Sequence, residues 1–213
     1  MIRIIVGISG ATGVTYGIRL LEVLKEVGVE THLILTESAK KNILIETDET
    51  VEYVEQLAHT NHDANNLAAS IASGSFRTDG MVVVPCTIKT LSGIANSYND
   101  TLLVRAADVM LKEKRRLILV VRETPFHKGH LRLMHDVADL GAVILPPVPA
   151  FYHAPRTIQD LIDHITGKIL DLMDIEHNLF QRWGDGTTQD PNRRRQTEEH
   201  NLQSAKKRYI MAE

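Results

Sequence analysis

The chain has 213 residues and a formal net charge of −3, a size that fits one domain or one domain with an appendage. This charge balance argues against nucleic-acid or membrane-surface binding, which usually needs a strongly basic chain. Cys86 is the single cysteine, which excludes an internal disulfide and a Cys-rich zinc site. The sequence opens without a signal-peptide pattern and has no apolar run of the ~20 residues that a membrane span needs, so we expect a soluble, cytoplasmic protein.

The predicted elements alternate along the chain between strands and helices. Short apolar runs typical of buried strands cover residues 2–8, 30–35, 81–84, 117–121 and 142–145. Helical patterns cover residues 14–27, 38–45, 51–58, 90–96, 102–113, 131–140 and 157–175, with a short further element at 65–73. This alternation predicts an α/β fold: a doubly wound, Rossmann or flavodoxin-like parallel sheet with helices on both faces.

The composition changes sharply near Gly184. From there to Ser204 the only large aliphatic residue is Leu202, and such a stretch cannot bury a core of its own. We therefore divide the chain into an α/β domain, residues 1–183, and a polar C-terminal tail, residues 184–213. Docking on a neighbouring subunit is one role that this tail could have.

Ligands of a doubly wound sheet bind beyond the carboxyl ends of its strands. The first strand is followed by a glycine-rich turn, residues 9–13, that leads directly into a helix. Glycines allow close backbone approach, and the helix directs its N–H groups towards the turn, so that the segment is an anion-site candidate. A turn used only for packing is the alternative.

The next two strand ends carry hydroxyl groups. Thr36 follows the second strand, where it could cap a helix or bind a ligand. Thr87, Lys89 and Thr90 follow the third strand and suit a phosphate or the polar edge of a ring. Cys86 has no neighbouring histidine in sequence and is interpreted as a packing residue rather than a nucleophile.

The last two predicted strands are followed by other kinds of residues than hydroxyl groups: a charged pair and a proline-rich loop. Arg122 and Glu123 follow the fourth strand, as a functional pair or an exposed ion pair. Three prolines after the fifth strand fix an extended loop that carries Phe151 and Tyr152, either for a ligand or to cover the core. Together the five strand ends predict a nucleotide or flavin site beside a second, apolar cavity. None of the ten histidines lies in a pattern typical of a metal site.

Four spaced segments, residues 6–13, 85–90, 121–125 and 146–153, occur in an order that resembles the flavin prenyltransferases of the UbiX/Pad type. The resemblance covers about residues 1–183, which would then be a flavin-binding domain. The nearest members are the B subunits associated with hydroxyarylic acid decarboxylases.

The resemblance implies an activity. Members join the five-carbon unit of dimethylallyl monophosphate to N5 and C6 of reduced FMN, release phosphate without a metal, and supply prenylated FMN to a UbiD-type decarboxylase. They are homo-oligomers, often dodecamers, with sites at subunit interfaces. One cationic cluster and no Asp-rich metal motif in the sequence favour the monophosphate over the diphosphate.

The resemblance also implies site residues. FMN would be bound by Gly10, Ala11, Thr12, Thr36, Thr87, Ile88, Lys89, Thr90 and Arg122. The prenyl phosphate would be held by Arg105, Lys112, Arg122, Tyr152 and Lys168. The catalytic residues would be Glu123, as acid and base, with Arg105, Lys112 and Arg122, and Trp183 could add an aromatic wall. Lys168 stands where many relatives have arginine, and Thr36 where serine is familiar.

Two alternatives remain at this point. A flavin-dependent cysteine decarboxylase of the phosphopantothenoylcysteine type has the same fold but relies on a Pro-x-Met-Asn motif, and this chain has Pro-Cys-Thr-Ile-Lys at the comparable strand end. A non-enzymatic flavin carrier or accessory subunit would not need the charged trio of Arg105, Lys112 and Glu123. Arg105 and Lys112 share one helical face, however, and such a pair can also be merely solvated.

Overall fold

The computed structural model describes residues 2–184, whose strands form one parallel sheet with helices on both faces. The strands are β1 (Arg3–Ile8), β2 (Glu30–Leu35), β3 (Thr60–Asp63), β4 (Gly80–Cys86), β5 (Arg116–Val121) and β6 (Val143–Ile144). The helices are α1 (Val14–Glu26), α2 (Glu37–Glu46), α3 (Val51–Gln56), α4 (Ile88–Ala95), α5 (Leu102–Lys112), α6 (Lys128–Asp139) and α7 (Ile158–Leu172), with a 3-10 turn at Ser70–Ala72.

The strand order is β3-β2-β1-β4-β5-β6, and each adjacent pair is parallel. The chain therefore builds outwards from β1 to β3, then returns to β4 on the other side of β1 and continues to β6. This reversal places the switch point of the sheet between β1 and β4, where doubly wound folds open a crevice for ligands.

The core consists of two apolar layers, one on each side of the sheet. Buried residues of α1, α2, α3 and α7 cover one face, and those of α4, α5 and α6 cover the other. All seven residues of β4 are buried, as expected for a central strand of a parallel sheet. Helix α1 lies so close to this strand that a Cβ on Gly17 would be 2.5 Å from the Val84 carbonyl oxygen.

The predicted doubly wound fold is confirmed, with one correction to the number of strands. The sequence predicted five strands, but the sheet has six, because β3 was not predicted. Three of the four residues of β3 are exposed and all four are polar, so that this edge strand has no apolar run. Residues 65–73, predicted as a short further element, form turns and the 3-10 turn.

Several helix ends are set by caps. Helix α6 begins at Lys128, three residues before the predicted start. His127, the residue before the helix, caps it, because its side chain accepts the Gly129 N–H. Helix α7 begins where predicted, after Thr157, whose hydroxyl accepts the Asp160 N–H while the Asp160 carboxylate accepts the Thr157 N–H.

The tail from residue 185 onwards lies outside the described residues.

Candidate functional site

A cleft of about 890 Å³ opens beyond the carboxyl ends of β1, β2 and β4 and reaches the helices α4 and α5. It lies at the switch point of the sheet, among the strand ends for which the sequence predicts a nucleotide or flavin site. Five of the predicted cofactor-binding residues line it: Gly10, Thr36, Thr87, Lys89 and Thr90. The remaining wall includes Ser9, Asn65, Asn96, Tyr98 and Thr101.

Ser9 ties the ends of β1 and β4 together beneath this cleft. Its hydroxyl donates to the Pro85 carbonyl oxygen and accepts the Thr87 N–H, both at 2.8 Å. Ser9 is 1 % exposed, so water cannot replace either bond. The two strand ends that form the floor of the cleft are therefore fixed relative to each other.

The glycine-rich turn is held against α2. The Asn42 side-chain amide donates to the carbonyl oxygens of Gly10 and Ala11, each at 3.1 Å. A Cβ on Gly10 would lie 2.2 Å from the Cβ of Ser38, so that only glycine fits there. Ala11 is buried and Thr12 is exposed, and neither lines the cleft.

Glu46, which the sequence reasoning missed, occupies part of the predicted anion site. Its Oε2 atom accepts the Gly13 N–H at 2.7 Å and lies 3.3 Å from the Val14 backbone nitrogen. These are the first amides of α1, so that a carboxylate of the protein itself lies at the positive end of this helix. The signal in the sequence was weak, because Glu46 lies 33 residues from Gly13 and has no local pattern around it.

Thr36 and Thr87, two threonines of the cleft, serve as helix caps. Thr36 accepts the Ala39 N–H at the start of α2, and Thr87 accepts the Thr90 N–H at the start of α4. The Thr87 hydroxyl also donates to the Thr90 oxygen at 3.0 Å. Lys89 is exposed, whereas the partly buried Ile88 packs against the core and does not line the cleft.

Arg122 and Glu123 follow β5 beside the same edge of the sheet. The Arg122 N–H donates to the Cys86 carbonyl oxygen at 3.1 Å, which joins the ends of β5 and β4. Burial raises the pKa of the Tyr16 phenol, and the Arg122 charge opposes this rise, so that Arg122 lies near the start of α1. Glu123 Oε1 accepts the N–H of Thr124 at 2.9 Å.

Cys86 is a packing residue, as the sequence predicted. It is fully buried at the end of β4 and belongs to the core beneath α4 and α5. Burial raises the pKa of its thiol well above the ordinary range, which disfavours the nucleophilic thiolate.

Arg105 and Lys112 both lie on α5 but at different positions along the helix axis. Arg105 donates through Nε to the Ala72 carbonyl oxygen at 3.1 Å and through Nη1 to Asp108 at 3.0 Å. Lys112 is paired with Glu113 at the last turn. Seven residues of helix separate the two cations by about 10 Å along the axis, so that Lys112 lies away from the cleft end of α5.

Tyr152 and Lys168 lie on the other face of the sheet, with α7. The Tyr152 hydroxyl oxygen is 3.2 Å from Nε2 of His164, and its ring meets Trp183 edge to face at 5.6 Å. The Lys168 Nζ is 3.5 Å from Asp171. Because α5 and α7 cover opposite faces, one chain does not bring the predicted phosphate-binding cations together.

Two further observations concern ions and membranes. Among residues 2–184, no three His, Cys, Asp or Glu side chains are grouped so as to hold a metal ion. Within the same range, no helix has the length and apolar character needed to cross a bilayer.

Comparison with known proteins identifies relatives over most of the chain. The model of the flavoprotein family matches residues 1–183. A flavin prenyltransferase UbiX of Thauera aromatica is 56% identical over 181 residues, which are 85% of this chain and 93% of the relative. Together these matches cover the region in which the sequence resemblance was found.

Two solved structures have the same fold. The crystal structure of AnUbiX in complex with FMN and dimethylallyl pyrophosphate has a TM-score of 0.85 and 50% identity, covering 86% of this chain and 97% of that one. A dodecameric FMN-dependent UbiX-like decarboxylase from Escherichia coli O157:H7 has a TM-score of 0.84 and 46% identity, covering 85% and 99%. On its fold, its strand-end cleft and these identities, the chain belongs to the UbiX-type flavin prenyltransferases of the flavoprotein family.

Proposed function

We propose that this protein transfers the dimethylallyl unit of dimethylallyl monophosphate to N5 and C6 of reduced FMN. The product would be the prenylated cofactor of a UbiD-type aromatic acid decarboxylase. The observation that carries the proposal is the cleft at the switch point of the sheet, in a chain 56% identical to a flavin prenyltransferase. Residues 1–183 would be the flavin-binding domain, and residues 184–213 a tail outside it.

The cleft fits FMN in size and chemistry. Its volume of about 890 Å³ is within the range of cofactor sites. The flavin ring needs apolar walls with a few polar groups at its edge, and the lining of the cleft includes the apolar Leu103 and Val104 as well as the hydroxyls of Thr87 and Thr90. Reduced FMN would supply the nucleophilic nitrogen and ring carbon, while the protein orients it through Gly10, Thr36, Lys89 and the β4–α4 turn.

The leaving phosphate would be stabilised by cations. Breaking the allylic C–O bond moves negative charge onto the phosphate, and Arg105, Lys112, Arg122 and Lys168 are the groups that we assign to it. Tyr152 would add a hydrogen bond, and Trp183 an aromatic wall near the developing carbocation. The second bond, to C6, needs the double bond of the prenyl unit to take up a proton; Glu123 would donate it and then accept the proton that C6 releases as its ring becomes aromatic again.

A homo-oligomer would bring these groups together. Arg105 and Lys112 lie with α5, and Lys168 lies with α7 on the opposite face. Lys112 is also about 10 Å along the helix from Arg105, so that subunits must share their side chains to surround one phosphate. The dodecameric assembly of a relative with 46% identity supports this arrangement.

The deciding experiment is anaerobic incubation of the purified protein with reduced FMN and dimethylallyl monophosphate, followed by a mass spectrum of the extracted flavin. A flavin heavier by one five-carbon unit is the expected result. A parallel reaction with dimethylallyl diphosphate, the form bound in the AnUbiX structure, tests the choice of donor. Bound but unchanged FMN with both donors would favour a flavin carrier or a cysteine decarboxylase, and loss of FMN would overturn the assignment.

A further inference from the structure

His164, on α7, is the centre of a cluster of rings contributed by the segments before and after this helix. Its imidazole is stacked on His153, with centroids 4.9 Å apart and 7° between the planes. Phe180 contacts it at 4.7 Å, and Tyr152 meets it nearly edge to face at 5.7 Å. His164 is only 6 % exposed, so that its polar atoms are largely removed from water.

The polar partner of this imidazole is Tyr152. Nε2 of His164 lies 3.2 Å from the Tyr152 hydroxyl oxygen, whereas Nδ1 is buried and has no partner among residues 2–184. A buried ring with one unpaired nitrogen is costly compared with an apolar ring of the same size. If packing were the only role of this position, phenylalanine would be the more stable choice. What histidine adds is the hydrogen bond to Tyr152.

The surroundings also hold His164 in its neutral form. Burial lowers the pKa of the imidazole, and the charges of His153 and Lys168 lower it further, while Asp171 opposes them. With its proton on Nε2, the neutral imidazole donates to the phenol oxygen, and the single hydroxyl hydrogen of Tyr152 stays free to donate to the phosphate. The ring thus forms a fixed polar anchor that does not bring a second charge beside Lys168.

We propose that His164 is a positioning residue that fixes the Tyr152 hydroxyl for contact with the prenyl phosphate. The inference rests on the proposed function, in which Tyr152 and Lys168 hold that phosphate. His164 lies one helical turn before Lys168 on α7, so that the same helix presents one ligand directly and orients the other. Without the bond to His164, the Tyr152 hydroxyl would lose the polar contact that fixes its position beside α7.

The test uses the full-length protein loaded with oxidised FMN, in which N5 is not a nucleophile, so that donor binding is measured apart from transfer. Calorimetric titration with dimethylallyl monophosphate gives its dissociation constant for the wild type and for His164→Phe, Tyr152→Phe and the double variant. His164→Gln keeps a polar atom near the position of Nε2, whereas His164→Asn keeps one near Nδ1 and cannot reach Tyr152. Thr166→Val, at a buried hydroxyl on the same helix with no partner among the described residues, is the matched control.

We expect His164→Phe, His164→Asn and Tyr152→Phe each to weaken donor binding at least about fivefold, because each removes or misplaces the hydroxyl that bonds to the phosphate. The double variant should bind no more weakly than the single variants, and His164→Gln and Thr166→Val should stay within about twofold of the wild type. With reduced FMN, KM should rise while kcat changes little, because the contact is present before and during bond breaking. Melting temperatures and FMN retention establish that each variant is folded.

Three results would overturn the inference. His164→Asn and His164→Phe could bind the donor as the wild type does, or the effects of the two sites could add in the double variant. Tyr152→Phe could leave binding unchanged, which would remove Tyr152 from the site but leave prenyl transfer intact. Failure of the wild type to bind any dimethylallyl phosphate is a separate result, because it would overturn the proposed function itself.

Discussion

The Oε2 atom of Glu46 lies 2.7 Å from the backbone nitrogen of Gly13 and accepts its hydrogen bond. The contact joins the last residue of α2 to the residue that caps α1, across 33 positions of sequence. It gives α1 the negative charge that the amino end of a helix favours, and it closes the glycine-rich turn beside the cleft. The first amides of α1 therefore bind a carboxylate of the protein before any ligand arrives.

Glu46→Ala should lower the free energy of unfolding by about 0.5–1 kcal/mol, because it removes the negative charge beside the exposed amino end of α1 and leaves the Gly13 amide to water. Glu46→Gln keeps an acceptor oxygen without the charge, and its free energy of unfolding should decrease by about half as much. Denaturant unfolding at one fixed protein concentration measures the difference, since an oligomer's stability depends on concentration. Equal stability of the wild type and Glu46→Ala would show that the contact contributes nothing.

Gly10→Ala should weaken FMN binding by about tenfold or more, because the new Cβ would lie 2.2 Å from the Cβ of Ser38 and push the turn away from α2. The dissociation constant follows from quenching of flavin fluorescence. Ser38→Gly removes the atom with which the new methyl group collides, and the double variant should recover most of the affinity. If the double variant binds no better than Gly10→Ala, the collision is not the cause.

The sequence was sufficient to predict the strands that are buried in the fold. Apolar runs such as residues 117–121 can be read as strands because a central parallel strand is buried on both faces. The edge strand β3, with the sequence Thr-Asn-His-Asp, carries no such pattern and forms by backbone pairing with β2. Its existence depends on a tertiary neighbour rather than on its own residues.

The candidate site was predicted in part for the same reason. Parallel strands end at one edge, so the residues after β1, β2 and β4 had to lie together, and Gly10, Thr36 and Thr87 line one cleft. Glu46 and His164 were missed as site residues, because each acts on a residue far away in sequence or on another element. The separation of Arg105 from Lys168 by the sheet also follows only from the topology.

Glu123→Gln should slow prenyl transfer by roughly 10²–10⁴-fold while FMN stays bound, since the amide cannot take up the proton that C6 releases. Glu123 accepts the Thr124 N–H, and glutamine can keep this bond, so the loop should hold its shape. Single-turnover formation of the prenylated flavin under anaerobic conditions measures the chemical step. A wild-type rate in Glu123→Gln would remove this residue from the proton transfer.

Lys168→Ala should raise KM for the donor about tenfold, because it removes one positive charge from the proposed phosphate site. Lys168→Arg should bind the donor at least as well as the wild type, since a guanidinium can hold phosphate through two bonds. The exposed Lys41, on α2, provides the matched control as Lys41→Ala. If Lys168→Ala and Lys41→Ala have the same KM, position 168 does not bind the phosphate.

The stability of the protein should fall as the pH drops below about 6.5, because of two histidines at the edge of the sheet. Nδ1 of His32 lies 2.9 Å from Nε2 of His62, and burial lowers the pKa of both imidazoles. Arg3 and His59 lower the pKa of His32 further, while Glu30 opposes them. A lowered pKa in the fold means that the unfolded chain binds protons more readily, so acid favours unfolding.

His62→Gln tests this dependence, since it removes one of the two titrating rings and keeps a polar side chain on β3. The free energy of unfolding, measured at pH 7.5 and pH 5.5 and at one protein concentration, should decrease less in His62→Gln than in the wild type. His135→Gln, at an exposed histidine of α6, should keep the wild-type decrease. Equal losses in all three proteins would mean that the His32–His62 contact does not link stability to pH.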